Sequence, residues 1–516
     1  KADTEGIKKD LANLADDINP NTKDVNTVWL HLKERILETI KNRVPQKKTS
    51  SRHTNPWMNT DIKRTIKRKQ RAYNKSRKTH KKRDRDRYKK LQKEVQYKVR
   101  QANKTYLKET VSGDFKDNSK RFWSYVKSKG QDSIGVAPLK NSSGYLQSES
   151  SARANILNEQ FQSVFTDEDL ADMPDLGHST VPTMPGIKVD WRGVHKLLIN
   201  LQPHKAAGPE SVPSFILKAA ATELAPALAK MFQLSLELGQ VPDDWREATV
   251  VPIFKKGDRH QAANYRPVSL TSITCKILEH IIHSSIMAHF DKYNILTENQ
   301  HGFRKKRSCE SQLITTIHDI ANNMAQQKQV DIILLDFAKA FDKVPYSRLL
   351  LKMSHYGVRD NTLMWIKSFL SGRQQQVVLD GATSEKADVK SGVPQGSVLG
   401  PLLFLAYIND LPESAKSSTT KPFADDSMML KVINNMTDSK LLQKDLSALE
   451  EWENKWQMSF NPSKCVVMRM APKRTKILQT NYTLHGHTLE VVDASKYLGV
   501  MITDDLSWDT HIKNVQ

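Results

Sequence analysis

The stretch Val330-Asp331-Ile332-Ile333-Leu334-Leu335-Asp336-Phe337-Ala338-Lys339-Ala340-Phe341-Asp342 decides how this chain is read. Its first half is a β-favouring apolar run, the pattern of a strand covered on both faces, and the run ends in a carboxylate. Asp336 follows four aliphatic residues, which predicts a charged group at the end of a buried strand. Taken alone, such an aspartate also suits a turn or a helix cap. Its meaning depends on what the rest of the chain brings near it.

Two further stretches share its character. In Pro422-Phe423-Ala424-Asp425-Asp426-Ser427-Met428-Met429-Leu430, adjacent carboxylates lie between apolar segments, which predicts a hairpin with the acids at its tip. An ordinary polar turn reads the same way. Adjacent acids repel, however, by about 4 kcal/mol at 4 Å for an effective dielectric near 20. Partly buried carboxylates held together therefore need cations, and oxygen ligands favour Mg²⁺. The other stretch, Ser391-Gly392-Val393-Pro394-Gln395-Gly396-Ser397-Val398-Leu399-Gly400-Pro401, is a Gly/Pro-rich loop leading into an apolar helix over 402–409. Its glycines permit close backbone approach to a ligand, and Gln395 offers both donor and acceptor; a purely structural loop is the alternative. From about residue 190 onward, helical and strand patterns alternate as one large mixed α/β unit without internal repeats.

The three stretches, in this order and with 59 residues from Asp336 to Gln395 and 30 from there to Asp425, resemble the reverse transcriptases of non-LTR (LINE-type, jockey-like) retrotransposons. LDFAKAFDKVP is similar to the family's polymerase motif A, SGVPQGSVLGPLLFLAYINDLP to motif B and FADD to motif C. VPIFKKGDRHQAANYRPVSLT (251–271) and QHGFRKKRS (300–308) look like the fingers motifs, NPSKC (461–465) like motif D, and YLGV (497–500) like motif E. KAAGPESVP (205–213) matches loosely, with Glu210-Ser211 where the family usually has Asp-Gly. The resemblance covers roughly 190–505.

It implies an α+β right-hand polymerase with palm and fingers, the palm an RRM-like antiparallel sheet with helices, preceded by a mainly helical basic region. The division it suggests is a helical basic arm over 1–130, a linker with a short helix over 131–189, fingers and palm over 190–505, and the start of a thumb or connection over 506–516. Neither an upstream endonuclease nor an RNase H pattern is seen. The implied activity is RNA-directed DNA synthesis on a primer 3′-hydroxyl, with an RNA template, a DNA primer and dNTPs as partners. Asp336 and Asp425 would hold two Mg²⁺ ions (Mn²⁺ being possible) with the Phe337 carbonyl, while Asp426 tunes the site. Lys255, Lys256 and Arg266 would clamp the triphosphate, and Gln395 and Gly396 would meet the nucleotide. Phe341 would exclude a ribose 2′-hydroxyl, Arg304 would touch the template, and Lys464 would protonate pyrophosphate. Two rival readings use the same residues: an inactive or host-adopted RNA-binding descendant, and a metal-dependent nuclease.

Composition narrows the field further. The 516 residues carry 79 Lys/Arg against 57 Asp/Glu, a net charge of +22. Residues 61–110 hold 21 Lys/Arg and 5 Asp/Glu, so one segment makes the whole chain basic. Tyr88, Leu91, Val95, Val99, Ala102 and Tyr106 step by three or four, and no Pro or Gly interrupts 58–112, which predicts one or two long helices with basic outer faces. Such density suits a polyanion, and Lys63, Arg64, Lys67, Arg68, Lys81, Lys82 and Arg83 are candidate nucleic-acid contacts; a solvated helical arm is the bland alternative. Helices are also expected at 28–40, 120–127 and 152–165, with a polar joint at 47–55 and a linker at 166–188. Three scattered cysteines argue against a disulfide scaffold, and the longest apolar run, Val398–Ile408, is broken and too short for a bilayer. No membrane partner is expected, and with no targeting segment in view the expected location is nucleus and cytoplasm.

Overall fold

A computed structural model describes residues 2–19, 22–45, 57–111, 135–472 and 476–515. The chain divides into a large unit, Lys1–Val44 with Val136–Gln516, and a small one, Pro45–Gly135. The strands of the two larger sheets are β1 (Glu247–Phe254), β2 (Tyr265–Leu270), β3 (Gln329–Asp336), β4 (Arg373–Leu379), β5 (Ala382–Thr383), β6 (Ala387–Val389), β7 (Thr419–Phe423), β8 (Asp426–Ile433), β9 (Val466–Met470) and β10 (Glu490–Val491). The longer helices include α1 (Thr4–Leu11), α2 (Val25–Arg43), α3 (Thr60–Thr79), α4 (Lys82–Val111), α5 (Ser150–Gln162), α6 (Ala221–Leu238), α7 (Ile273–Lys292), α8 (Cys309–Ala325), α9 (Leu399–Tyr407) and α10 (Met436–Trp456).

The apolar run quoted first is β3, and it lies at the centre of a sheet ordered β10-β9-β3-β8-β7. Both neighbours run antiparallel to it, with Asp336 opposite Asp426 and Val466 opposite Leu334. Alternate side chains separate by face, as a two-residue period requires. Val330 and Ile332 join Leu313 and Ile320 of α8 in one cluster, while Ile333 and Leu335 join α9 and α10 in the other. Because both faces are covered, the strand reads as continuous rather than alternating apolar sequence. Asp331 is fully buried within it, and burial raises its pKa; Tyr482 and Gln329 donate hydrogen bonds to it at 2.6 and 2.7 Å.

The second sheet has the order β2-β1-β4-β5, with β6 also paired to β4. β1 and β2 are antiparallel and β1 and β4 parallel; α5 covers this sheet through Leu157 and Phe161 against Val250 and Val377. Among the described residues no helix is long and apolar enough to cross a membrane.

Two features differ from the sequence reading. Residues 1–44 do not belong with the basic arm. Ile7, Leu11, Val28, Trp29, Leu32 and Ile36 of α1 and α2 enter the large unit's core beside α6, and Trp29 meets Trp245 edge-on at 5.2 Å while donating to Asp244 at 2.9 Å. An apolar stripe on α2 thus outweighs proximity to the basic segment. Residues 166–188, expected as a linker, form a strap without regular structure that is tied to Arg348, itself only 2% exposed. Glu168 accepts from the Ser347 and Arg348 amides, and the Arg348 guanidinium donates to the Asp169 and Asp172 carbonyls at 2.7 Å. The stretch before α5 contains a short hairpin, Leu139–Lys140 with Leu146–Gln147, as its Gly, Ser and Asn content suits. The expected helix at 120–127 and joint at 47–55 lie outside the described residues.

Among the described residues, the small unit is a helical hairpin of α3 and α4. His80 turns the chain at φ 51°, Asn59 caps α3 through the Ile62 amide, and Lys98 of α4 binds Asp61 of α3 at 2.8 Å. Leu91 is buried in α4 and Ile62, Thr65 and Ala72 in α3, while the other members of the predicted α4 stripe are half-buried.

Candidate active site

The geometry of the candidate site follows from how β3 and β8 pair. β3 ends at Asp336, and opposite it the chain turns from β7 into β8 through Ala424 and Asp425. Ala424 adopts φ 52°, the positive angle that opens a two-residue hairpin turn. Asp336 and Asp425, 89 positions apart in the sequence, therefore line one cleft of about 480 Å³. Phe337, Phe341, Gln395, Gly396, Lys255, Lys256, Arg266 and Lys464 line it too. Asp426 begins β8 and does not line this cleft; desolvation of its carboxyl, then the charges of Asp425 and Asp336, push its pKa up to about 6.

Cations face these acids. Lys464 Nζ donates to Asp336 Oδ2 at 2.7 Å, and the Asn461 amide fixes the Asp336 carbonyl at 2.8 Å. Lys255 and Lys256 leave the end of β1, and Arg266 is exposed near the start of β2, so the hairpin of the second sheet brings three cations to the cleft. Lys339 joins them, and its pKa is lowered by burial, opposed by Asp342 and furthered by Lys255, Lys464 and Arg266. Carboxylates and crowded cations lining one cleft fit an anion bound together with a divalent ion. Among the described residues no three His, Cys, Asp or Glu side chains gather into a closed metal cage. Two carboxylates in an open cleft still suit Mg²⁺, which keeps waters and takes substrate phosphates as its remaining ligands. The residues fit the ion on that ground, and the ammonium already seated on Asp336 marks where positive charge is wanted.

The rest of the lining is aromatic and loop-built. Phe341 stacks on Phe404 of α9 with centroids 4.5 Å apart and meets Phe303 edge-on at 6.2 Å. Gln395 donates through Nε2 to Asp342 at 2.8 Å, and its carbonyl accepts from the Ser269 amide of β2 at 2.9 Å. Gly396 has φ 121°, and a Cβ there would stand 2.5 Å from the Ser269 carbonyl. Glycine is required where the loop touches β2. Arg304 does not line the cleft; its guanidinium is partly buried and donates to the Thr297 carbonyl at 2.8 Å.

Residues 253–502 match the family model for reverse transcriptase (RNA-dependent DNA polymerase). The chain carries a reverse transcriptase domain. It is 28% identical over 343 residues to the RNA-directed DNA polymerase from mobile element jockey of Drosophila melanogaster, covering 65% of this chain and 37% of that protein. The jockey polymerase of Drosophila funebris is 30% identical over 346 residues, covering 64% and 37%. The probable RNA-directed DNA polymerase from transposon BS of Drosophila melanogaster is 26% identical over 416 residues, covering 76% and 45%. The chain spans less than half the length of each of these relatives.

Within the reverse transcriptase domain, sequence reasoning passed over Lys339, Asp342, Phe303 and Gln300. Lys339 and Asp342 lie inside the stretch that nominated Asp336 and Phe341, and spacing along a turn could have flagged them. Asp342 is half-buried, and desolvation of its carboxyl raises its pKa against the bond from Gln395. Phe303 is 58% exposed, at φ 54°, an apolar ring left open in a cleft. In the small unit Lys63, Arg64, Lys67, Arg68, Lys81, Lys82 and Arg83 are all exposed. Between its helices Arg68, Arg71, Lys75 and Arg87 line a cleft of about 230 Å³ that holds one acid, Asp84.

Proposed function

We propose that this chain is the catalytic part of an RNA-directed DNA polymerase of a non-LTR retrotransposon, extending a DNA primer with dNTPs on an RNA template. In this reading the β10-β9-β3-β8-β7 sheet is the palm and the β2-β1-β4-β5 sheet belongs to the fingers. The observation that carries it is the convergence of Asp336 and Asp425 in one cleft that is also lined by Phe341 and by the cations of the β1–β2 hairpin.

Asp336, Asp425 and the Phe337 carbonyl are the groups that would hold Mg²⁺, with Mn²⁺ as a substitute. When bound, such ions activate a primer 3′-hydroxyl and offset charge on the leaving pyrophosphate. The chain's own residues do the rest. Lys255, Lys256, Arg266 and Lys339 bind the triphosphate oxygens, where fixed positive charge in a cleft counts for more than in water. The Phe341 ring, backed by Phe404, fills the space a 2′-hydroxyl would need. Gln395 is held by Asp342 and, with Gly396, forms the loop against which the nucleotide rests. Lys464 contacts Asp336 directly and is the candidate donor of a proton to pyrophosphate. Asp426 tunes the charge of the pair, and Arg304 braces the loop after residue 297 near the template path. The basic hairpin of the small unit grips RNA phosphates. Copying RNA into a genome requires access to cytoplasm and nucleus.

Primer extension on a primed RNA, with and without Mg²⁺, tests the reading. Wild-type protein extends the primer only with Mg²⁺ and dNTPs, and Asp425→Asn does not. Cleavage of a labelled duplex in Mg²⁺ without dNTPs, with no extension when they are added, would establish a nuclease instead.

A further inference from the structure

The hairpin turn that carries Asp425 has a problem that backbone pairing alone leaves open. Phe423 pairs with Asp426, so Ala424 and Asp425 form the turn itself, and the Ala424 amide finds no strand partner there. Ala424 is buried, so an unpaired N–H there would forgo the hydrogen bonds water gives it. One side chain from elsewhere in the chain meets this need. Gln300, 2% exposed, accepts through Oε1 from the Ala424 amide at 3.1 Å and from the Gly302 amide at 2.7 Å. Both partners are donors, so the amide orientation is fixed by chemistry: the oxygen must face them. The cost is visible on the other end, where Gln300 Nε2 is buried without a hydrogen-bond partner.

The loop around Gln300 is itself braced. Asn409 Oδ1 accepts from the Thr297 amide at 2.8 Å and its Nδ2 donates to the Ile295 carbonyl at 2.7 Å, while Arg304 holds the Thr297 carbonyl. Gly302 lies so near the turn that a Cβ there would stand 2.6 Å from the Ala424 nitrogen. We infer that Gln300 is a positioning residue, which clamps the Ala424 amide and so holds Asp425 where it can share a divalent ion with Asp336. This rests on the reading of Asp425 as a metal ligand. Partners one step removed from a ligand set its orientation, and losing one typically weakens metal binding about 10–100-fold.

Three measurements test it. In wild-type protein the Ala424 amide exchanges slowly with deuterium despite its place in a turn; exchange at the rate of a free turn amide would overturn the clamp. Mn²⁺ binding, followed by its paramagnetic resonance signal without nucleotides, weakens about 10–100-fold in Gln300→Met, whereas Gln300→Glu, which keeps the acceptor, binds nearly as wild type does. The Mg²⁺ concentration for half-maximal extension shifts in the same order, while the dNTP KM at saturating Mg²⁺ stays put. A space-filling role predicts the reverse ranking, with Met tolerated and a buried Glu damaging, and that ranking would overturn the inference. If Gln300→Met does not fold, the Glu variant decides alone, because loss of Mn²⁺ binding in a folded Gln300→Glu refutes the clamp. Asp425→Asn separates the two readings. If it binds Mn²⁺ as wild type does, the metal assignment falls and the inference with it; if only Asp425→Asn loses Mn²⁺, Gln300 is a structural residue.

Discussion

At the scale of single residues, the same side-chain chemistry takes its meaning from where the ring or carboxyl is held. Phe341 would pass for a core phenylalanine by sequence, yet only one face is core: it stacks on Phe404 and its edge meets Phe303 beside the cleft that holds Asp336. On the proposed function, removing the ring opens room beside the nucleotide sugar without touching the acids. Phe341→Ala is expected to raise the ribonucleotide-to-deoxynucleotide ratio of kcat/KM by about 10–200-fold, the range for small steric discriminations. Single-nucleotide incorporation checks this, and an unchanged ratio would remove Phe341 from sugar selection. Glu453 makes the contrasting case of a buried acid with no part in the cleft. Burial pushes its pKa up to about 8, the Phe460 amide opposing this and Glu450 adding to it. His485 Nε2 stands 3.0 Å from its other oxygen, and Lys343 acts weakly in the lowering direction. The unfolded chain releases this proton near the ordinary glutamate value of 4.5 while the folded chain keeps it to about 8. Folding stability from this group is therefore present at low pH and declines as pH rises between those two values. Glu453→Gln, which mimics the protonated form, should gain in melting temperature over wild type as pH goes from 5 to 8; a constant difference would show that Glu453 is ionised in the fold.

Elements were legible where the sequence pattern and the burial pattern have the same cause. β3 is covered on both faces, so continuous apolar residues announced it, and the acids at the tip of the next hairpin followed from apolar segments on either side. The contacts between elements were not legible, because nothing in the spacing of Gln395 and Asp342 or of Gln300 and Ala424 states that they touch. The strap over 166–188 was misread for a related reason. Asp, Pro and Gly do mark irregular backbone, but they are silent about whether its carbonyls bind a buried arginine, as those of Asp169 and Asp172 do. The glycine-rich loop shows what such contacts demand. Gly396 combines φ 121° with the Ser269 carbonyl at 2.5 Å from any Cβ, so Gly396→Ala must both strain its backbone and push the loop off β2. Strain of this kind costs about 1–3 kcal/mol, small enough for the fold to survive. The expected outcome is a folded protein with a raised dNTP KM and a lowered melting temperature. Wild-type KM in that variant would mean the loop does not meet the nucleotide.

For the whole molecule the decisive quantity is how charge is partitioned. The large unit places its cations in a cleft beside carboxylates, whereas the small unit carries most of the net +22 on exposed helix surfaces. These arrangements predict different responses to salt. Cations that neutralise phosphates along a flexible strand act by releasing counterions, so each contact steepens the fall of affinity with ionic strength, by about 0.7 in the logarithmic slope for a single strand. Arg68, Arg71, Lys75 and Arg87 line one cleft between α3 and α4, and only Asp84, which Lys75 approaches to 3.8 Å and Thr79 binds at 2.7 Å, offsets them. Changing all four to Gln leaves the hairpin seam of Ile62, Thr65, Ala72 and Leu91 intact, so the helices should persist by circular dichroism. RNA binding measured by fluorescence anisotropy between 50 and 200 mM salt should then weaken, and its slope should flatten by up to about 3. Extension of a preformed primer-template at low salt should change less than binding does, since none of the four lines the cleft with Asp336 and Asp425. An unchanged slope would leave the arm a solvated helical hairpin, whatever the polymerase activity of the rest.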